Sequence, residues 1–353
     1  MRGKEGRARR APVYRPRLGR FPQPPGRLLV ATVVLVAGYW ACLAAGWLPP
    51  LGGTSPEAGL PDGIRAEAVR RMAQALPLLA EAREARGLPW DRVHDPNRTG
   101  LIGAAFTEIT TTLGDPVAKR TATNPQWAGV VAEALWQAGA RPGDVVAATL
   151  SGSFPGLNLA VFIAADVLDL QLAAVASLGS SMWGANLPQW TWADMEQVLA
   201  EEGLIGQRSL AYTLGGEGDR GGGLMPEGVA ALRAAAARAD GPRLLELAGL
   251  AEAVQIRLAL FDHAAREAGR PVAVYVNVGG GQAALGSCGA VAGLPPGLLW
   301  PEQVPACPPE RQGVLSVMAG RQVPVLHLLN VRELALRKGL PLDPVPLPGV
   351  SSW

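Results

Sequence analysis

Histidine and cysteine are scarce in this chain, with three of each in 353 residues: His94, His263 and His327, and Cys42, Cys288 and Cys307. The histidines are scattered without metal-ligand spacing, which argues against a structural zinc site. Charged residues make up only 18% of the chain and hydrophobic ones 48%, so core material is ample and disorder through charge excess is excluded. There is no phosphate-binding glycine loop of the P-loop type. There is also no clean dinucleotide fingerprint, since Gly215–Gly218 lacks the spacing and Gly279–Gly281 is a bare triple glycine. No internal repeat is present. No cofactor is therefore expected, and no metal.

The net charge of +2 conceals an asymmetry. Residues 1–27 hold nine Lys or Arg and one acid, whereas the remainder holds 23 bases against 29 acids, a net of −6. The basic character belongs to the tail, and nothing points to a nucleic-acid-binding face. After the tail, residues 28–48 (LLVATVVLVAGYWACLAAGWL) form a 21-residue run without a charge. At ~1.5 Å per residue this run spans a ~30 Å hydrocarbon core. The arginines before it place the N-terminus on the cytoplasmic side and the bulk of the chain outside, in a single-pass cell-membrane topology. A cleaved signal peptide is the competing reading, although its apolar region is normally shorter, ~7–15 residues. Outside the membrane, Cys288 and Cys307 are an even pair. A disulfide and two unrelated buried thiols both remain open.

The expected organisation is a basic tail (1–27), a transmembrane anchor (28–48), a linker (49–63), an extracytoplasmic α/β domain (64–345) and a short tail (346–353). An Ala/Leu-rich helix over 64–86 opens the domain. From residue 126 helices and apolar strands alternate, with strands expected at 145–150, 172–177, 208–213, 271–278 and 323–328. Helices are expected at 126–139, 156–167, 192–202, 226–238, 243–268 and 330–338. This alternation predicts a mostly parallel, doubly wound, Rossmann-like sheet with helices on both faces. A second uncharged run, 145–165, is long enough to span a membrane. Ser151-Gly152-Ser153 and Pro155 interrupt it, and it reads instead as strand, turn and helix.

Four of the five expected strands end in glycine and small polar residues, Ser151–Asn158, Ser177–Ser181 with Gly184–Asn186, Gly215–Asp219, and Asn277–Gly281, and the fifth carries His327 near its end. In an open α/β sheet these ends form the ligand crevice, and their backbone amides suit an anion. Such loops also need Gly and Ser simply as turns and caps. Ser151 and Ser153 lie on a strand-to-helix turn. With His327 as base and Asp219 as orienting acid, a Ser/His/Asp arrangement can be drawn, although SGSFPG is not G-x-S-x-G. Ser153 as a cap or ligand hydroxyl, and His327 as a core histidine, are the plainer readings. Ligand contacts are expected from Glu108, Thr110, Thr111, Lys119, Arg120, Ser180, Ser181, Asn186, Gly215, Gly216, Asn277, Gly279 and Gly280. Glu108 has the look of a buried acid in a threonine run, and Trp190 and Trp192 offer either an aromatic wall or core packing. Arg98, Lys119, Arg120 and Arg220 are the basic candidates.

The segments GLIGAAFTEITTTLGD, AKRTATNP, SGSFPGLN, SSMWGAN with TWADMEQVL, VNVGGG, and PVLHLLN followed by GLPLDPVPLP together resemble the bacterial poly-γ-glutamate system protein family, over about residues 90–345. The resemblance implies a membrane component that accompanies synthesis or export of that polymer, with the other components of the system, the membrane and an anionic polymer or small anion as partners. It carries no catalytic assignment. The missing phosphate loop excludes the ligase of such a system. Three expectations follow: an accessory subunit binding an anionic ligand at the strand ends, a serine-dependent hydrolase or transferase acting on the polymer, or a non-catalytic scaffold.

Overall fold

The computed structural model describes residues 59–349. The basic tail, the 28–48 run with Cys42, most of the linker and residues 350–353 lie outside the described residues. Among the described residues no helix is long and apolar enough to cross a membrane.

The elements follow the periodicity of the chain. Among the described residues three helices precede the sheet, α1 (Ile64–Ala85), α2 (Pro116–Thr121) and α3 (Gln126–Gln137). There follow β1 (Val145–Ser151), α4 (Pro155–Val167), β2 (Gln171–Ser177), α5 (Trp192–Glu201), β3 (Ala211–Thr213), α6 (Pro226–Arg238), β4 (Arg243–Leu244) and α7 (Leu250–Ala268). The last part comprises β5 (Val272–Val278), α8 (Gln282–Leu285), α9 (Gly289–Ala292), β6 (Gly297–Leu299), α10 (Val314–Gly320), β7 (Val325–Leu328) and α11 (Val331–Arg337).

Among the described residues seven strands form one mixed sheet in the order β4-β3-β2-β1-β5-β7-β6, in which only β6 runs antiparallel to its neighbour. Strands β1 to β4 run outward to one side, and β5 then pairs with β1 on the other. The order therefore reverses between β1 and β5, the place where open α/β sheets leave a crevice at the carboxyl ends of the strands.

Alternate strand residues face opposite ways. Val146, Ala148, Leu150, Ala174, Ala176, Val276 and Leu326 join a core with α1, α3, α4 and α5. Val145, Ala147, Ala173, Val175, Tyr275 and Val325 join a second core with α7 and α10. Helix α4 is buried from Pro155 to Ala165, because the sheet covers one side and α1 and α3 the other. A helix apolar all round belongs in such a place, and the 145–165 run is accordingly strand, turn and helix. Trp190 and Trp192 are core residues, 1% and 0% exposed, and supply no wall to the crevice. Cys288 and Cys307 form a disulfide that joins the α9 region to the segment before α10.

Candidate functional site

Strand β1 delivers Ser151 to its carboxyl end, and the chain turns through Gly152 and Ser153 into α4. The Ser153 amide donates to Ser151 Oγ at 3.2 Å, and the Asn158 amide group donates to the Ser151 carbonyl at 3.0 Å. The loop after β2 lies against this turn. Gly152 N donates to Ser177 O and Ala185 N to Gly152 O, both at 2.8 Å. Ser181 N donates to Ser153 Oγ at 3.0 Å.

Helix α2 brings a third group. Asp115 caps it by accepting from Val117 N at 3.0 Å, and Lys119 then points from the helix into the two loops, 3% exposed. Its ammonium donates to the Ser153 carbonyl and, at 2.7 Å, to Ser181 Oγ, and it lies 3.7 Å from the centre of the Phe154 ring. Burial pushes this amine down from 10.5 to about 7, against the weaker opposing pull of the Asp115 carboxylate. A charged ammonium loses its hydration in such a place, so its neutral form gains. A hydroxyl next to an amine that is partly unprotonated near neutrality is the arrangement of a nucleophile and its base.

These groups open into a cavity of about 560 Å³. Its floor is Ser151, Ser153, Ser177 and Ser181, with Thr111–Asp115, Ala118 and Lys119 on one side and the glycine loops 215–223 and 280–281 across the ends. Among the described residues Lys119 is the one base in the lining, while Asp115 and Glu217 present exposed carboxylates at the rim. Asp219 also lines the cavity, but its charge is met by Arg257 at 2.6 Å and its other oxygen accepts from Thr213 Oγ1 at 2.9 Å.

Compared with protein-family models, curated proteins and solved structures, the chain matches none. Function is therefore read from the chemistry of the cavity.

Of the residues expected from the sequence, Ser151, Ser153, Thr111, Lys119, Ser181, Gly215, Gly216, Asp219 and Gly280 line one cavity. Gly279 lies just behind, with Ser151 against its Cα. The Ser/His/Asp arrangement is not assembled. His327 is 1% exposed, and its Nδ1 meets Asn277 Nδ2 at 2.9 Å. Asn277 spends its other amide hydrogen on Gly279 O at 2.9 Å, so the histidine nitrogen accepts and the ring proton sits on Nε2. Asp219 belongs to Arg257 and Thr213, as above. Glu108 is exposed rather than buried. Thr110 and Asn186 are structural: Asn186 ties Ala104 N, Ala104 O and Thr110 Oγ1 together at 2.9 Å each. Ser180 is fully buried and bonded to the Ser181 carbonyl at 2.9 Å. Of the other basic candidates, Arg120 is a bidentate partner of Asp343 at 2.6 and 2.5 Å, Arg98 pairs with Glu84 at 2.7 Å, and Arg220 reaches Ala248 O at 3.2 Å.

Sequence reasoning missed the pairing of Lys119 with Ser181 and the contribution of Gln282, while Phe154 and Ser177 lie in the loops expected to form the crevice. One signal was available. The chain has three lysines, Lys4, Lys119 and Lys338, against 29 arginines, so a lysine beside a threonine-rich loop is a departure from strong arginine usage. Unlike arginine, lysine gives up its proton readily when buried.

Proposed function

We propose that this chain is a membrane-anchored, serine-dependent hydrolase or acyltransferase of the poly-γ-glutamate system, with Ser181 as nucleophile and Lys119 as its base. The observation that carries this reading is the 2.7 Å contact between Lys119 Nζ and the Ser181 hydroxyl at the floor of the cavity. In its neutral form the amine accepts the hydroxyl proton as Ser181 Oγ attacks an amide or ester carbonyl. The C–N or C–O bond then breaks, and the leaving group takes the proton from Lys119. Water, or an acceptor amine, attacks the acyl-serine carbonyl while Lys119 takes its proton; the C–Oγ bond then breaks, and Lys119 returns that proton to Ser181 Oγ.

The segments that resemble the poly-γ-glutamate family support the context, because they supply the cavity: AKRTATNP brings Lys119, SGSFPGLN brings Ser151, Ser153 and Phe154, and SSMWGAN brings Ser181. The uncharged run at 28–48 and the basic tail support an anchor with this domain on the outer face. The Cys288–Cys307 disulfide agrees with an oxidising compartment.

Labelling of the full chain by a fluorophosphonate probe tests the reading. Ser181→Ala abolishes labelling and Ser153→Ala retains it. The labelling rate climbs with pH through about 7 and levels off above, as Lys119 loses its proton. Labelling that is absent, or that persists in Ser181→Ala, rejects the assignment.

A second reading is favoured by one feature, the saturation of the ammonium by Ser153 O, Ser181 Oγ and the Phe154 ring. In that case Lys119 clamps two loops, and the cavity binds the anionic end of a chain for an accessory subunit. Polymer output that survives Ser181→Ala but is lost on deletion of the whole chain selects this alternative.

A further inference from the structure

We infer that the cavity is crossed by a strap that admits the free end of a linear polyamide or polyester chain and excludes a chain running through. This deepens the acyl-transfer reading and rests on it.

Between β3 and β5 lie β2 and β1. Three inter-strand steps of ~4.8 Å separate their ends by about 14 Å. Yet the loops that follow β3 and β5 touch: Gly218 N donates to Gln282 Oε1 at 2.8 Å. Because both loops line the same cavity as Ser177, Ser181, Ser151 and Ser153, which follow or end β2 and β1, that bond bridges the cavity across from these serines. Residues of both loops, Glu217 and Gly222 from one and Gly281 and Gln282 from the other, line the same cavity.

The two feet of the arch are firm. On the β3 side Glu217 and Gly222 exchange backbone hydrogen bonds at 2.9 and 3.2 Å, and the buried Asp219–Arg257 pair anchors the loop below. On the β5 side α8 ends at Gly286, whose Cα abuts the backbone of Arg311–Gly313, and Ser287 N donates to Arg311 O at 3.0 Å. The Cys288–Cys307 disulfide closes that foot. The crown is weak by comparison, one hydrogen bond to the exposed Gln282 side chain. The segment Thr111–Lys119 walls the flank on the side of the α4 core. With strands below, strap above and this wall behind, a chain enters from the remaining flank and stops. Cleavage or transfer is therefore at a terminus.

Two alkyl fluorophosphonates test this on the full chain, one with an ethyl ester and one whose ester arm is as long as its alkyl arm. Wild type is labelled at Ser181 at least about tenfold faster by the first. Gln282→Ala narrows that ratio by about two- to tenfold, the population shift expected on losing one hydrogen bond. It also speeds amide hydrogen exchange over residues 215–223 by a similar factor. Equal labelling of wild type by both probes overturns the inference while leaving the nucleophile in place. Unchanged exchange in Gln282→Ala overturns it as well. A wild type that neither probe labels strikes the acyl-transfer reading instead, and the exchange measurement then decides whether the strap exists.

Discussion

His327 shows how far a single residue can be read. It lies at a strand end, which drew it toward catalysis, but its neighbours on the adjacent strand decide its role. In the β5–β7 register Asn277 lies beside His327, so the two side chains leave the sheet on the same side and meet. Burial pushes the imidazole from 6.5 down to about 4. Below pH 6.5 the unfolded chain takes up a proton that the fold refuses until about pH 4, so stability falls as pH drops through that window. The loss is ~3 kcal/mol in total. His327→Gln flattens this acid limb in pH-dependent denaturant unfolding, while leaving fluorophosphonate labelling in place. Lys119 governs the alkaline side with a related sign. Its proton is held more weakly in the fold, so unfolding free energy climbs with pH from about 7 toward 10.5. Lys119→Met removes that slope, and a slope that persists in the variant means the amine is not buried as described.

At the scale of elements, the site depends on the docking of α2 against α4. The first turn of α4 approaches the end of α2 so closely that a Cβ on Gly156 runs into the Ala122 carbonyl. Gly156→Ala therefore pushes α2 outward, and Lys119 moves with it away from Ser181. The expected cost is about 1–3 kcal/mol of stability, as for other overpacked sites. Labelling of Ser181 should slow as well, and a variant of normal stability and normal rate contradicts this coupling. The existence of α4 was legible because its residues are apolar at nearly every position, Asn158 and Asp166 excepted, and it is bounded by Pro155 and the polar turn before it. Helix α2 was not, since six residues carry too little periodicity to register. Strand β6, three residues long, went unread for the same reason, and two-residue β4 falls inside the helix expected over 243–268, which begins only at Leu250.

At the scale of the whole molecule, the disulfide is the covalent restraint on the 279–313 excursion between β5 and β7. Its cysteines are 19 residues apart in sequence, a loop whose closure is worth ~3 kcal/mol in the unfolded chain. Cys288→Ser with Cys307→Ser lowers unfolding free energy by about that amount, measured by denaturant unfolding of the full chain. The β5 foot of the strap also loosens, seen as faster exchange over 282–313. Loss confined to stability, with exchange over that segment unchanged, separates the disulfide from the strap.

Much of the molecule was decided by local pattern. Apolar strands separated by helices, glycine and serine at the strand ends, and an even pair of cysteines are short-range signals, because backbone turns and side-chain periodicity act over a few residues. From these alone came the mostly parallel sheet and the crevice loops at its carboxyl ends. The partners within the crevice were decided only by tertiary structure. Lys119 meets Ser181 across 62 residues, and Gly218 meets Gln282 across 64, since each pairing depends on strand order and helix docking. Burial then shifts the amine and the imidazole, and no sequence spacing encodes how much water a folded chain leaves around a side chain.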